Sequence, residues 1–315
     1  MSFTSDVKTE ISLETLGREE TRAQLSALVL MLSSISISSD GTALVIRTSS
    51  APVSRAIYRM MNDLYDVQIE TFVQRRMNLK KNLIYGFRFY GNVTGILKDL
   101  GLYSSRGLLE KPLQKIVSKD ACARAYLAGA FMADGSVNSP ETSGYHLEIR
   151  ASSEAQAGFL VDLMGRFYIP ARIIERRGKP VVYVKQAEKI ADCLRCIGAD
   201  RCLMEFEDAR ISRDFANSVT RLANVDMAND FKSMKAANAQ LEDIRILQDA
   251  GMIEKLDEKL RDIVELRLAD PDASLMELAQ QYQAKTGNIV SKSGMKHRFV
   301  KLHDLALKAE GKADE

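Results

Sequence analysis

Leu127-Ala128-Gly129-Ala130-Phe131-Met132-Ala133-Asp134-Gly135 is the stretch on which the fold turns. Its small residues Ala128, Gly129 and Ala133 give one side of a helix little bulk, so a partner helix can approach closely. Gly135 permits a turn at the helix end, and Asp134 falls at the bottom of the expected helix pair. The chain supplies its own partner. Leu25-Ser26-Ala27-Leu28-Val29-Leu30-Met31-Leu32-Ser33 stands about one hundred positions earlier within a long internal repeat.

Four ordered matches carry that repeat. Arg22-Ala23-Gln24-Leu25 reappears as Arg124-Ala125-Tyr126-Leu127, and Leu44–Ser50 matches Leu147–Ser153. Leu64-Tyr65 pairs with Phe167-Tyr168, and Ile96–Gly101 with Cys193–Gly198. Each copy reads as an apolar helix, a turn with Ser and Gly, and a strand. An amphipathic helix follows, then a two-stranded hairpin and a closing helix capped by Gly101 or Gly198. This unit, present twice (22–101 and 122–198), predicts a pseudo-symmetric α+β domain over 22–205. Residues 1–21 are left as an N-terminal segment.

The nine-residue stretch matches the LAGLIDADG signature at six positions and resembles the homing endonucleases that carry it. The resemblance implies two paired helices, each giving one carboxylate to divalent metal over the scissile phosphates. One carboxylate holds Mg²⁺ weakly and cannot organise an in-line displacement. In the first copy Leu32 occupies the place of Asp134. The scaffold is therefore expected without the chemistry: no catalytic residue, no metal and no cofactor. A metal-dependent endonuclease using acids elsewhere, such as Glu148, is the alternative.

Polar residues accumulate over 206–240, read as a helical connector with Asn217, Asn224, Asn229 and Asn238 at intervals. Beyond it lies an all-α module, 241–310. Leu241–Gly251 and Leu256–Leu268 are amphipathic helices, Asp270-Pro271-Asp272 breaks the pattern, and Ser274-Leu275-Met276-Glu277 is a capping box. Thr286-Gly287-Asn288 turns into a helix capped by Ser291, which makes 274–307 a helix-turn-helix. Lys285 to His303 holds five bases and no acid. Candidate DNA contacts are Ser291, Lys292, Ser293, Lys296, His297, Arg298 and Lys301, near the start of the second helix. Secondary contacts are expected at the two repeat hairpins: Arg75, Arg76, Lys80 and Lys81, and in the other copy Arg176, Arg177 and Lys179. Docking of a protein or small ligand on the repeat domain stays open.

A degenerate LAGLIDADG domain followed by this helix-turn-helix, with Ser291-Lys292-Ser293-Gly294 and His297-Arg298, resembles the WhiA family along essentially the whole chain. The resemblance implies a regulator of sporulation and cell division that binds double-stranded DNA without cutting it. It also implies a terminal module similar to the DNA-reading region of primary sigma factors. RNA polymerase or a WhiB-type iron–sulfur protein would be its protein partner.

The chain's 315 residues and 46% hydrophobic content suit about two globular domains. With 44 Lys+Arg against 42 Asp+Glu, the net charge of +2 excludes a uniformly basic coat; what matters is segregation into three acid-poor patches. Leu25–Leu32 is too short to cross a bilayer, and the acidic N-terminal stretch is unlike an export leader, so a cytoplasmic, nucleoid-associated protein is expected. Cys193 aligns with the apolar Ile96 and reads as a core thiol, whereas Cys196 aligns with Asp99 and should be more exposed.

Overall fold

The computed structural model describes residues 2–38, 41–75, 83–142 and 144–310. They fall into two compact units, Met1–Arg213 and Asp214–Glu315.

The first unit contains both repeats. Helix α1 (Phe3–Leu13) precedes the first, which runs α2 (Arg18–Leu32), β1 (Ser33–Ser38), β2 (Gly41–Thr48), α3 (Ala51–Leu64), β3 (Gln68–Arg75), β4 (Leu83–Tyr90) and α4 (Val93–Asp99). A small ribbon, β5 (Tyr103–Ser104) and β6 (Gly107–Leu108), leads to the second. That copy runs α5 (Asp120–Asp134), β7 (Gly135–Val137), β8 (Leu147–Arg150), α6 (Glu154–Gly165), β9 (Arg172–Arg176), β10 (Lys179–Val184) and α7 (Ala187–Cys196). Each sheet is antiparallel and ordered alike, β1-β2-β4-β3 and β7-β8-β10-β9, so the sequence repeat is a structural repeat.

Each copy carries one strand more than its sequence pattern suggests. Ser33–Ser38 was expected as a turn because it is serine-rich, yet Ile35 and Ile37 alternate with Ser34 and Ser36 at the strand period. At the second hairpin, Arg177 and Gly178 both have positive φ (54° and 72°), as a tight two-residue hairpin turn requires.

Helices α2 and α5 form the centre of the unit. A Cβ on Gly129 would lie 2.3 Å from the backbone oxygen of Gln24 and 3.0 Å from Cβ of Ala27, so the helices meet at van der Waals distance only because residue 129 has no side chain. Gly135 serves space rather than turn geometry. Its φ is −85°, but an added Cβ would collide with the Phe131 backbone. Leu25, Leu28, Leu127, Phe131 and the strand residues Leu44, Ile46, Leu147 and Ile149 are buried around the pair.

Helix α1 belongs to this core rather than standing outside it. Phe3, Val7 and Ile11 are buried, Thr4 Oγ1 accepts from the Val137 amide and donates to its carbonyl, and Glu10 accepts from the amides of Arg201 and Cys202. All four cysteines are buried and free. Cys196 departs from its expected exposure: burial raises its thiol to about 11.

Helix α8 (Asp200–Asp249) begins in the first unit and ends in the second, where α9 (Glu258–Ala269), α10 (Leu275–Thr286) and α11 (Lys292–Glu310) follow. The expected connector and the helix after it are thus one element. Ile244, Leu247, Ile263, Leu278, Tyr282, Met295, Phe299 and Leu302 form the second core. Among the described residues, no helix is long and apolar enough to cross a membrane.

Candidate nucleic-acid interface

The helix-turn-helix is built from local signals that satisfy one another. Ser274 Oγ accepts from the Glu277 amide while the Glu277 carboxylate accepts from the Ser274 amide, closing the capping box at the start of α10. Gly287 ends α10 in the left-handed region (φ 74°), where a side chain would be strained. Ser291 Oγ then accepts from the Gly294 amide and starts α11.

Below the turn lies Arg267, 1% exposed. Its guanidinium donates to Gln240 Oε1 and to the carbonyls of Asp270, Pro271 and Ala273, and stands 5.4 Å from the Phe299 ring. One buried cation therefore ties α8, the Asp270–Ala273 bend and α11 together. The sequence pattern gave no sign of this, because Arg267 reads as an ordinary polar position on an amphipathic helix.

On α11, Met295, Phe299, Leu302 and Ala306 point into the core. That leaves Ser291, Lys292, Ser293, Lys296, His297 and Lys301 exposed over the first three turns. Arg298 is placed differently from the residues it was grouped with. It is half-buried, its guanidinium stacks 4.6 Å from the Tyr282 ring, and its Nη1 is buried. Its position suits it to fix α11 on α10 rather than to reach out. Lys285, counted in the basic run, is held by Asp262 (2.8 Å) and Glu265 (2.5 Å), which keep its ammonium above the usual range.

In the first unit the outward faces of the two sheets are basic, away from the helices. Leu147 and Ile149 are buried, so Glu148 and Arg150 face outward. Register places Lys179, Tyr183, Arg172 and Arg176 on the same face. Arg176 pairs with Glu148 (3.0 Å), Arg177 occupies the exposed turn, and Lys179 is exposed. Burial opposes ionisation of Glu148, but the His146 hydrogen bond and the charges of His146 and Arg176 outweigh it, and the carboxyl titrates below its ordinary range. On the other sheet Phe72 lies against Gly86, with Arg88 at 4.7 Å and Arg47 at 5.7 Å from its ring. Arg75 is exposed at the end of β3; Arg76, Lys80 and Lys81 lie outside the described residues. Arg88 belongs to the basic run of the first hairpin, whereas Arg47 and Arg150 escape sequence reading as contacts, since only strand register brings them onto these faces.

The foot of the helix pair does not fit a catalytic metal. Asp134 is paired with Arg150 (3.3 Å), and Lys8 acts on it electrostatically. Burial raises the Asp134 carboxyl above its ordinary value despite Arg150, Lys8 and Lys179. Leu32 supplies no donor, and among the described residues no group of three or more His, Cys, Asp or Glu could hold a metal. A lone carboxylate beside cations is the opposite of a divalent-metal site.

Three family models match in chain order: the WhiA N-terminal LAGLIDADG-like domain over 18–103, the WhiA LAGLIDADG-like domain over 123–216, and the WhiA C-terminal HTH domain over 219–306. The chain belongs to the WhiA family. The probable cell division protein WhiA of Listeria monocytogenes serotype 4a is 41% identical over 307 residues, covering 97% of this chain and 94% of that one. The protein of that name from Staphylococcus carnosus is 39% identical over 306 residues, 97% and 96% of the two chains. The full-length crystal structure of DUF199/WhiA from Thermatoga maritima shares the fold, with TM-score 0.60, 23% identity, and coverage of 98% and 99%. Both repeats are thus LAGLIDADG-like, and the terminal module is a WhiA helix-turn-helix.

Proposed function

We propose that the chain is a transcription regulator that grips duplex DNA with α11 and does not cut it. The observation that carries this reading is the start of α11. Lys292, Lys296, His297 and Lys301 are exposed there, and no ion pair engages them among the described residues. A short turn and a capped helix hold them in place. Lys296 and His297 would meet base edges in a major groove, and Lys292 and Lys301 would meet phosphates. The outward face of the second sheet with Arg176 and Lys179, its turn residue Arg177, and Arg75 at the end of β3 would add phosphate contacts that carry little sequence information.

The relatives named for cell division support regulation of that process; control of sporulation in a sporulating host is part of the same proposal. RNA polymerase or a WhiB-type iron–sulfur protein is the protein partner we assign, and the nucleoid is the place of action.

Fluorescence anisotropy of the full chain with labelled duplex DNA tests the reading. Changing Lys292, Lys296 and Lys301 together to Ala should weaken binding and lower the log–log salt slope by about 2 to 3. Unchanged affinity at two salt concentrations refutes it. Supercoiled DNA with Mg²⁺ or Mn²⁺ tests for nuclease activity: nicking that vanishes in Asp134→Ala would favour the endonuclease reading.

A further inference from the structure

Along residues 215–234 of α8, large apolar side chains stand in solvent among polar ones. Phe215 (71% exposed), Val219, Leu222 (65%), Val225, Met227, Phe231 and Met234 all lie open. A soluble helix that keeps this much apolar surface in water has a partner to place on it. In sequence the segment has the look of a polar connector, because asparagines and charges separate the apolar residues.

Their spacing specifies the partner. With Phe215, Leu222 and Asn229 at the first position of a heptad, Ser218 and Val225 fall at the fourth, so one seam runs along a single face. Val219 flanks it. Arg221 and Asp226, both exposed and in no ion pair among the described residues, stand at the two flanking positions that face each other across a parallel two-stranded coil. Two identical parallel helices would therefore gain two Arg221–Asp226 pairs. Asn229 would meet its own copy in the seam, an arrangement that favours a parallel dimer in fixed register. Antiparallel pairing about the centre of the seam would instead oppose Arg221 to Arg221.

We propose that residues 215–229 of α8 pair with the same segment of a second copy of this chain as a short parallel coiled coil. The proposal stands on this helix alone and does not depend on the DNA-binding reading. Met227, Phe231 and Met234 lie on the other side of the helix and stay outside the seam.

The experiment is sedimentation or light scattering of the full chain over about 1 to 100 µM, the range expected of a seam this short. The mass should rise from one copy to two. Leu222→Glu should weaken association at least about tenfold while helical circular dichroism is unchanged, since the residue is exposed. Arg221→Asp should weaken it, and adding Asp226→Arg should restore it. Phe231→Glu should leave it unchanged. Asn229→Cys should form a disulfide-linked dimer when oxidised glutathione accepts the two electrons and two protons of the thiols. A single-copy mass throughout, a dimer indifferent to Leu222→Glu, dissociation caused by Phe231→Glu, or a dimer that Asn229→Cys does not cross-link would each overturn the proposal.

Discussion

Replacing Gly129 with Ala adds one methyl group where α2 and α5 come closest. The new Cβ would lie 2.3 Å from the Gln24 backbone oxygen, whereas ordinary contact begins at 3.4 Å, so the helices must part by about 1 Å. Overpacking of this kind costs about 1–3 kcal/mol, and a backbone obstacle that cannot rotate away places it at the upper end. Alanine returns about 1 kcal/mol through its better helix propensity. The net loss is about 2 kcal/mol, or roughly 4–8 °C in Tm for a unit of this size. Thermal and urea unfolding of the full chain measure it. Gly158→Ala, in α6 with nothing within 4 Å of its added Cβ, should instead stabilise by up to about 1 kcal/mol. Ala27→Gly removes the second contact, at 3.0 Å, but leaves the Gln24 oxygen, so it should not rescue Gly129→Ala. A Gly129→Ala protein as stable as wild type, or full rescue by Ala27→Gly, would refute this picture of the helix pair.

Three further outcomes are expected. Burial lowers the Lys8 ammonium to about 8 in the folded chain, against an ordinary 10.5. Between these values the unfolded chain binds more protons, so stability should rise with pH from about 8 to 10.5, by about 3 kcal/mol, and Lys8→Met should flatten that rise in urea titrations. Arg267→Ala should destabilise the second unit by about 2–4 kcal/mol, because it removes packed volume and leaves the carbonyls of Pro271 and Ala273 without their donor; urea unfolding followed by hydrogen exchange of α9–α11 would show it. Leu32→Asp should not create a nuclease, since Arg150 and Lys8 still act on Asp134; metal-dependent nicking of supercoiled DNA by that variant would count against the metal-site argument.

Much of the fold was legible because its signals are local or recur at a fixed offset. The small-residue helix, the Gly101 and Gly198 caps, and the Ser274 capping box all read directly. What stayed hidden depends on contacts between distant segments. Strand β1 hides behind its serines, and α1 carries no repeat signal that ties it to the core it helps to build through Phe3, Val7 and Ile11. The continuous α8 hid because no apolar face binds its middle to a core. At the candidate interface the exposed lysines of α11 follow from helical period alone. The inward stacking of Arg298 depends on Tyr282 from another helix, and only strand register puts Arg47 with Arg88 on one sheet face and Arg150 beside Lys179 and Arg176 on the other.

Genome-wide mapping of bound DNA in the native host, for wild type and for the Lys292/Lys296/Lys301→Ala variant at equal protein level, tests the central claim most directly. Discrete, reproducible sites for the wild type that vanish in the variant are predicted. No enriched sites for the wild type, or sites that persist unchanged in the variant, would contradict DNA recognition by α11.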